Sequence, residues 1–243
     1  MKGLAIIAMV ISGGNCMAME NINNWEFKAA DVAVIQVETD SGEVSLEAAE
    51  GQVVKVEVIG EYDVDKCEVS AALSGSKLVA SAKGKKQWFW SSGNCKAGFR
   101  ITAPAGKKLI VRSGAGKAGL AGFSAGADIF SGAGIIEFKG VSGPINVKSG
   151  AGTIKGDIYS EEFSASTGAG SIDLFWDKAP EKGKVNIKTG AGDITLAFPA
   201  DSKINVNYKA GVGSLSNELG SDPAAGFKVD VKSGAGSLNI KKR

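Results

Sequence analysis

From residue 109 onward, apolar and polar residues alternate in short runs, and each run is interrupted by the same glycine-rich tetrapeptide. SGAG begins at Ser113, Ser131 and Ser149, TGAG at Thr167 and Thr189, AGVG at Ala210 and SGAG again at Ser233. Two and four residues before each tetrapeptide stand apolar columns, Val111, Ile129, Val147, Ala165, Ile187, Tyr208 and Val231 behind Leu109, Ala127, Ile145, Phe163, Val185, Val206 and Val229. Alternation of this kind places both columns on one face of a strand, hence inward. Two residues after the last glycine a second pair of columns begins, Ala118, Ile136, Ile154, Ile172, Ile194, Leu215 and Leu238, followed by Leu120, Phe138, Gly156, Leu174, Leu196, Asn217 and Ile240. Counting in twos from the first strand misses the second by one. The parity therefore slips inside the tetrapeptide, which predicts a bend or bulge that glycine tolerates and other residues resist.

The intervals between successive tetrapeptides are 18, 18, 18, 22, 21 and 23 residues. A fixed period near 20 predicts one structural unit per repeat, stacked strand on identical strand about 4.8 Å apart. The fold class this implies is all-β: a single-stranded parallel β-solenoid, or β-helix, right-handed by extension of the crossover preference of parallel sheets. The extra length of the later repeats gathers between Phe175 and Lys184, Ala197 and Asn205, and Glu218 and Lys228, with Pro180, Pro199 and Pro223 marking loops along one edge. Residues 19–108 are less regular but still β-patterned. Val32 to Val37, Val44 to Leu46 and Val53 to Val58 read as strands, Ser41 to Leu46 as an eroded repeat, and Glu68 to Leu73 with Lys77 to Ala82 as a hairpin across Ser74-Gly75-Ser76. This region is expected to start and cap the stack, continuous with the repeats over 109–243.

The beginning of the chain reads as an export signal over residues 1–18. Lys2 is followed by an apolar stretch, Leu4 through Ile11, and Cys16-Met17-Ala18 supplies a small-x-small cleavage site. Lipidation at Cys16 is the competing reading, with Asn15 an awkward residue before it. No apolar run is long enough to span a bilayer. In an exported chain Cys67 and Cys95 are most economically a disulfide, the alternative being two buried free thiols. Glycine, 34 of 243 residues, accompanies a 44% apolar share in register with it, which favours an ordered repeat over a disordered chain. The net charge of +2 provides no field to recruit nucleic acid, and no nucleic-acid motif is present.

The stretches Val37-Glu38-Thr39-Asp40-Ser41-Gly42-Glu43-Val44 and Ile101-Thr102-Ala103-Pro104-Ala105-Gly106-Lys107-Lys108-Leu109, followed by the SGAG repeats, resemble the bacterial adhesin domains of head-GIN, auto-transporter type. The likeness runs over almost all of the chain after the signal. It implies a parallel β-solenoid at the cell envelope and supplies no catalytic residues.

A calcium-binding nonapeptide array needs a recurrent aspartate. The residues after the tetrapeptides are Lys117, Ile135, Thr153, Ser171, Asp193, Ser214 and Ser237, which cannot build one. With no histidine and no CxxC, no metal site and no cofactor is expected. Asp173 and Asp193, with Lys155 and Lys188 nearby, are the residues a polysaccharide lyase or hydrolase would use. The Ser/Thr column shares the inward parity and is expected to hydrogen-bond internally. The position before the tetrapeptide holds Arg112, Lys148, Lys188, Lys209 and Lys232, the last three on successive repeats. They read either as a ladder for an anionic glycan or lipid head group, or as a solvated face that discourages aggregation. Lys85 and Lys86 precede Trp88, Phe89 and Trp90, three aromatics that cannot all face a core if extended; they read as a contact site or as an end plug fastened by the disulfide. The expected function is that of a non-enzymatic envelope or surface interaction protein whose partner is an envelope glycan or surface protein. A lyase or hydrolase and a self-assembling structural protein are the alternatives.

Overall fold

Each apolar column read from the repeats finds its equivalent one strand away, paired in parallel and in register. The computed structural model describes residues 24–85 and 95–243. Strands β8 (Lys108–Ala121), β9 (Ala127–Ser142) and β10 (Ile145–Tyr159) each run through their tetrapeptide. Val111 pairs with Ile129 and Ile129 with Val147, while Ala118 pairs with Ile136 and Ile136 with Ile154. Later repeats break into two strands at the bend: β11 (Glu162–Ala169) and β12 (Ile172–Trp176), β13 (Gly183–Ala191) and β14 (Ile194–Phe198), β15 (Ile204–Val212) and β16 (Leu215–Asn217), β17 (Phe227–Ala235) and β18 (Leu238–Lys242). The inward columns are buried from Leu109 to Ile240, apart from the half-buried Gly156 and those on β15 and β16.

The expected bend is present and its cause is local. The strand pairing passes from Ser131 to Ala133 and from Ser149 to Ala151, leaving the first glycine unpaired. The second glycine takes a positive φ, +125° at Gly134 and +121° at Gly152. A Cβ on Gly152 would fall well inside 3.0 Å of the Gly134 carbonyl oxygen, so backbone approach and dihedral both demand glycine there. The hydroxyl column closes the bend: Ser113 donates to the Ala115 carbonyl at 2.9 Å, and Ser131, Ser149, Thr167 and Thr189 repeat that bond at 3.1–3.2 Å. The tetrapeptide alanines point outward (Ala133, Ala151, Ala169, Ala191 and Ala235 are exposed), so interior room is not what keeps them small.

Two features depart from a simple parallel stack in chain order. First, the sheet is mixed. Beside β8, strands β2 (Val34–Thr39) and β3 (Val44–Ala48) form a further rung, with Thr39 opposite Ser113 and Val44 opposite Ala118, so the eroded repeat is Thr39-Asp40-Ser41-Gly42. Beyond it lie β6 (Lys77–Gly84) and β7 (Gly98–Ala103), still parallel. Then the direction reverses: β5 (Cys67–Ser74) pairs antiparallel with β6 as the expected hairpin, β4 (Val53–Ile59) adds antiparallel to β7, and β1 (Asn24–Lys28) antiparallel to β4. Antiparallel strands end the run of parallel edges, which is what a capping region requires.

Second, the order of rungs is not the order of the chain. β17 pairs with β13 on one side and with β15 on the other, and β18 likewise lies between β14 and β16. The last repeat is thus tucked inside its predecessor. The same holds at the other end, where β2–β3 lies between β6–β7 and β8. The described residues build nine rungs, about 38 Å of stack at strand spacing. The worn repeat is the end rung: Leu215, on a column buried elsewhere, is 45% exposed, and with no rung beyond β15–β16 among the described residues its position need not be filled by a core residue.

The long connectors do not all become surface. Trp176, Phe198 and Phe227 are fully buried, with ring centroids 4.7–6.3 Å apart, and the Trp176 indole donates to the Ser160 carbonyl at 3.0 Å. The extra residues of those repeats enclose an aromatic core along that edge.

Candidate functional site

Parallel in-register pairing turns any recurrent residue into a column perpendicular to the strands. On the outward position before the bend the column runs Glu38, Arg112, Phe130, Lys148, Ser166, Lys188, Lys232 and Lys209. Lys188, Lys209 and Lys232 occupy three adjacent rungs as expected, but the tucked repeat sets their order as 188, 232, 209. All five cations of the column are exposed. The separation of neighbouring rungs is about 4.8 Å, at which two unit charges in water repel by about 0.9 kcal/mol before salt screening.

What surrounds the column determines its field. Phe130 sits between Arg112, whose guanidinium carbon lies 4.6 Å from the ring centroid, and Lys148, whose ammonium lies 5.7 Å away. Cation–π attraction of this kind holds both side chains against the sheet. Glu38, the one carboxylate of the column, is engaged by Lys83, whose hydrogen bond holds its carboxyl below the ordinary range. Among the described residues Lys188, Lys232 and Lys209 have no carboxylate partner. Two residues back along the same strands, by contrast, Asp128 neutralises Lys108 at 2.9 Å and Asp230 neutralises Lys184 at 2.9 Å. On the other outward face the signs alternate: Lys117 bonds Glu137 at 2.7 Å, with Lys155 at 3.8 Å on its far side. The Lys188, Lys232 and Lys209 rungs of the column are therefore left with a single sign of charge.

Beside it lies a shallow groove of about 570 Å³, walled by Arg112, Phe130 and Lys148 and floored by the serines and glycines of three tetrapeptides. The groove ends at Ser166, short of the rungs of Lys188, Lys232 and Lys209.

The second expected contact region falls mostly outside the described residues: Lys86, Trp88, Phe89 and Trp90 lie there. Its flanks are described. Ala82 is opposite Thr39 and Phe99 opposite Val44, so this rung spends sixteen residues where its neighbour spends four. Lys85 and Cys95 thus stand where other rungs carry the tetrapeptide. Lys85 donates to the Val64 carbonyl at 2.8 Å, Asp40 accepts from the Gly84 N–H at 2.6 Å, and the Cys67–Cys95 disulfide, Cα atoms 5.3 Å apart, ties this corner to β5.

Asp173 and Asp193 are not assembled into a pair. Asp173 is opposite Thr195 on one outward column, whereas Asp193 sits on another and accepts the Ser237 N–H at 2.8 Å. Lys188 precedes the bend and Asp173 follows it, on different faces. Among the described residues no group of three or more histidine, cysteine or acidic side chains could hold a metal ion, and no helix is long and apolar enough to cross a membrane. Sequence reasoning overlooked Phe130 and the C-terminal cluster in which Arg243 bonds Asp157 at 3.0 Å, reaches Asp177 at 3.6 Å and covers the Phe175 ring. Burial, and then the Asp157 charge, push the Asp177 carboxyl above its ordinary value. Phe130 was signalled by breaking a run of cations at one column; the Arg243 cluster depends on rung order and had no signal.

No family model and no curated protein matches the chain. Among solved structures it is similar to a "putative cell adhesion protein" from Clostridium sporogenes, 16% identical over 90% of this chain and 98% of that one, TM-score 0.41. A "putative adhesin" from Bacteroides fragilis is 14% identical over 89% and 95%, TM-score 0.39. Another from Parabacteroides merdae is 11% identical over 90% and 95%, TM-score 0.31.

Proposed function

We propose that this chain is an exported, non-enzymatic interaction protein of the cell envelope or surface. In this reading residues 1–18 are a leader, 19–108 start and cap the stack, and 109–243 wind as a right-handed parallel β-solenoid that displays repeated side chains. The observation that carries it is the run of three lysines in one column: cations on adjacent rungs, with no carboxylate partner among the described residues, are suited to contact. The disulfide supports an oxidising compartment. The purified chain, incubated with whole cells and isolated envelopes, is expected to bind saturably, and fractionated cells are expected to hold it outside the cytoplasm with Cys67 and Cys95 oxidised. A cytoplasmic pool with reduced thiols and no envelope binding overturns the proposal.

One observation favours a second reading, self-assembly. The β15–β16 rung pairs only with β17–β18 among the described residues and exposes Val212 and Leu215. Sedimentation showing ordered oligomers that Val212→Lys abolishes supports this reading; a monomer at all concentrations removes it.

A further inference from the structure

We propose that the cation column binds a single extended polyanionic glycan, a polyuronate, laid along the stack across the strands with its carboxylates on Lys188, Lys232 and Lys209. The proposal rests on the surface-interaction reading and names the ligand class for it. Three features select an occupant of this shape. The strip of cations is narrow: two residues back along the same three strands stand Asn186, Asp230 and Asn207, a carboxylate between two amides. A membrane or a duplex, anionic over a broad area, would meet that acid as well as the lysines; a lone chain need not. The column is straight and periodic at about 4.8 Å, so a polymer with one charge per sugar can pair repeatedly rather than once. Finally, the column holds no aromatic on these three rungs, and its one aromatic, Phe130, already carries Arg112 and Lys148. Unstacked nucleobases need open aromatic faces, which a chain of sugars does not.

The tucked repeat bears directly on this. Because β17 enters between β13 and β15, Lys232 stands in the middle of the three, with Lys188 and Lys209 on the flanking rungs and no uncharged rung between them.

The test uses the full chain with its disulfide formed, and polygalacturonate of graded length as probe, titrated across a salt series. If each lysine contributes about 0.7 to the slope of log K against log salt, as for single-stranded polyanions, the triple variant Lys188→Gln, Lys209→Gln, Lys232→Gln loses about 2 from the slope and about a hundredfold in affinity near 0.1 M salt. Affinity should rise with chain length, the Lys→Arg triple should retain binding, and the triple Lys117→Gln, Lys139→Gln, Lys155→Gln on the other face should bind like the parent. The proposal is overturned if both glutamine triples lose equally, if neutral dextran binds as well, or if anionic vesicles or single-stranded nucleic acid outbind polygalacturonate through the same lysines. Saturable binding to envelopes without any to polygalacturonate removes this ligand class and leaves the surface reading standing; binding to neither removes both.

Discussion

Replacing Gly152 by alanine tests the bend that makes every rung stackable. Gly152 holds φ at +121°, and the added Cβ would press on the backbone carbonyl of Gly134 in the rung before it, far closer than a real Cβ contact. The dihedral alone costs about 1–3 kcal/mol for a side chain. Relief of the overlap requires the rungs to part by more than an ångström, weakening two flanking backbone bonds at about 1 kcal/mol each. The expected loss is about 4 kcal/mol. Gly140 is the control: its φ is +60° and nothing lies within 4 Å of an added Cβ, so alanine there costs only the left-handed penalty of about 1–2 kcal/mol. With a urea m-value near 3 kcal/mol/M, the midpoints should fall by about 1.3 M and about 0.5 M respectively. Circular dichroism and tryptophan fluorescence should be followed together, since stacked repeats can melt in parts. If Gly152→Ala comes within 1 kcal/mol of Gly140→Ala, close rung contact is not what the glycines serve.

Most of the strand pattern was legible because one face is buried and the side-chain period is two, so columns such as Val111, Ile129 and Val147 declare their direction. The bend was legible from the parity slip, the hairpin from Ser74-Gly75-Ser76, and the disulfide from an even cysteine pair after a leader-like start. Rung order was not. The repeats at 189, 210 and 233 carry interchangeable columns, so Val185 could pair with Val206 or Val229 with equal local satisfaction; only packing across the whole rung decides for Val229. The hint lay in the damage: Ala210, Tyr208 and Asn217 depart from the columns at the repeat that turns out to be the end. The aromatic edge was misread because proline-rich connectors look like solvent loops, although Trp176 and Phe198 extend strands and close a core. Of the candidate site, the lysine column followed from spacing; its lack of neutralising carboxylates is a property of side-chain neighbours that alternation does not reveal.

Reducing the Cys67–Cys95 disulfide frees a 28-residue separation, and the chain-entropy model puts the loss at about 3.5 kcal/mol; equal urea midpoints for oxidised and reduced protein would contradict it. In acid, the carboxyls of Glu38, held down chiefly by the Lys83 hydrogen bond, and Asp230, held down chiefly by Lys184, lend stability that is present above their ordinary values of 4.5 and 3.8 and is lost as pH falls through the depressed ones. Glu38→Gln should flatten that part of the pH dependence, by less than about 1 kcal/mol given the exposure of the pair; an unchanged acid slope would refute the assignment. Finally, ending the chain after Gly226 distinguishes the tucked order from a sequential stack. In a sequential stack, removal of the last repeat strips one rung and leaves 204–217 docked on 183–198. Here β15 and β16, among the described residues, pair only with β17 and β18, so the cut orphans them as well, and Tyr208 loses its bond to the Gly236 carbonyl. Amide exchange of the shortened chain should therefore show protection lost across 204–217 while β13 and β14 keep theirs through β11 and β12. Retained protection over 204–217 would mean that β15 can dock directly on β13, and the rung order 188, 232, 209 would fall with it.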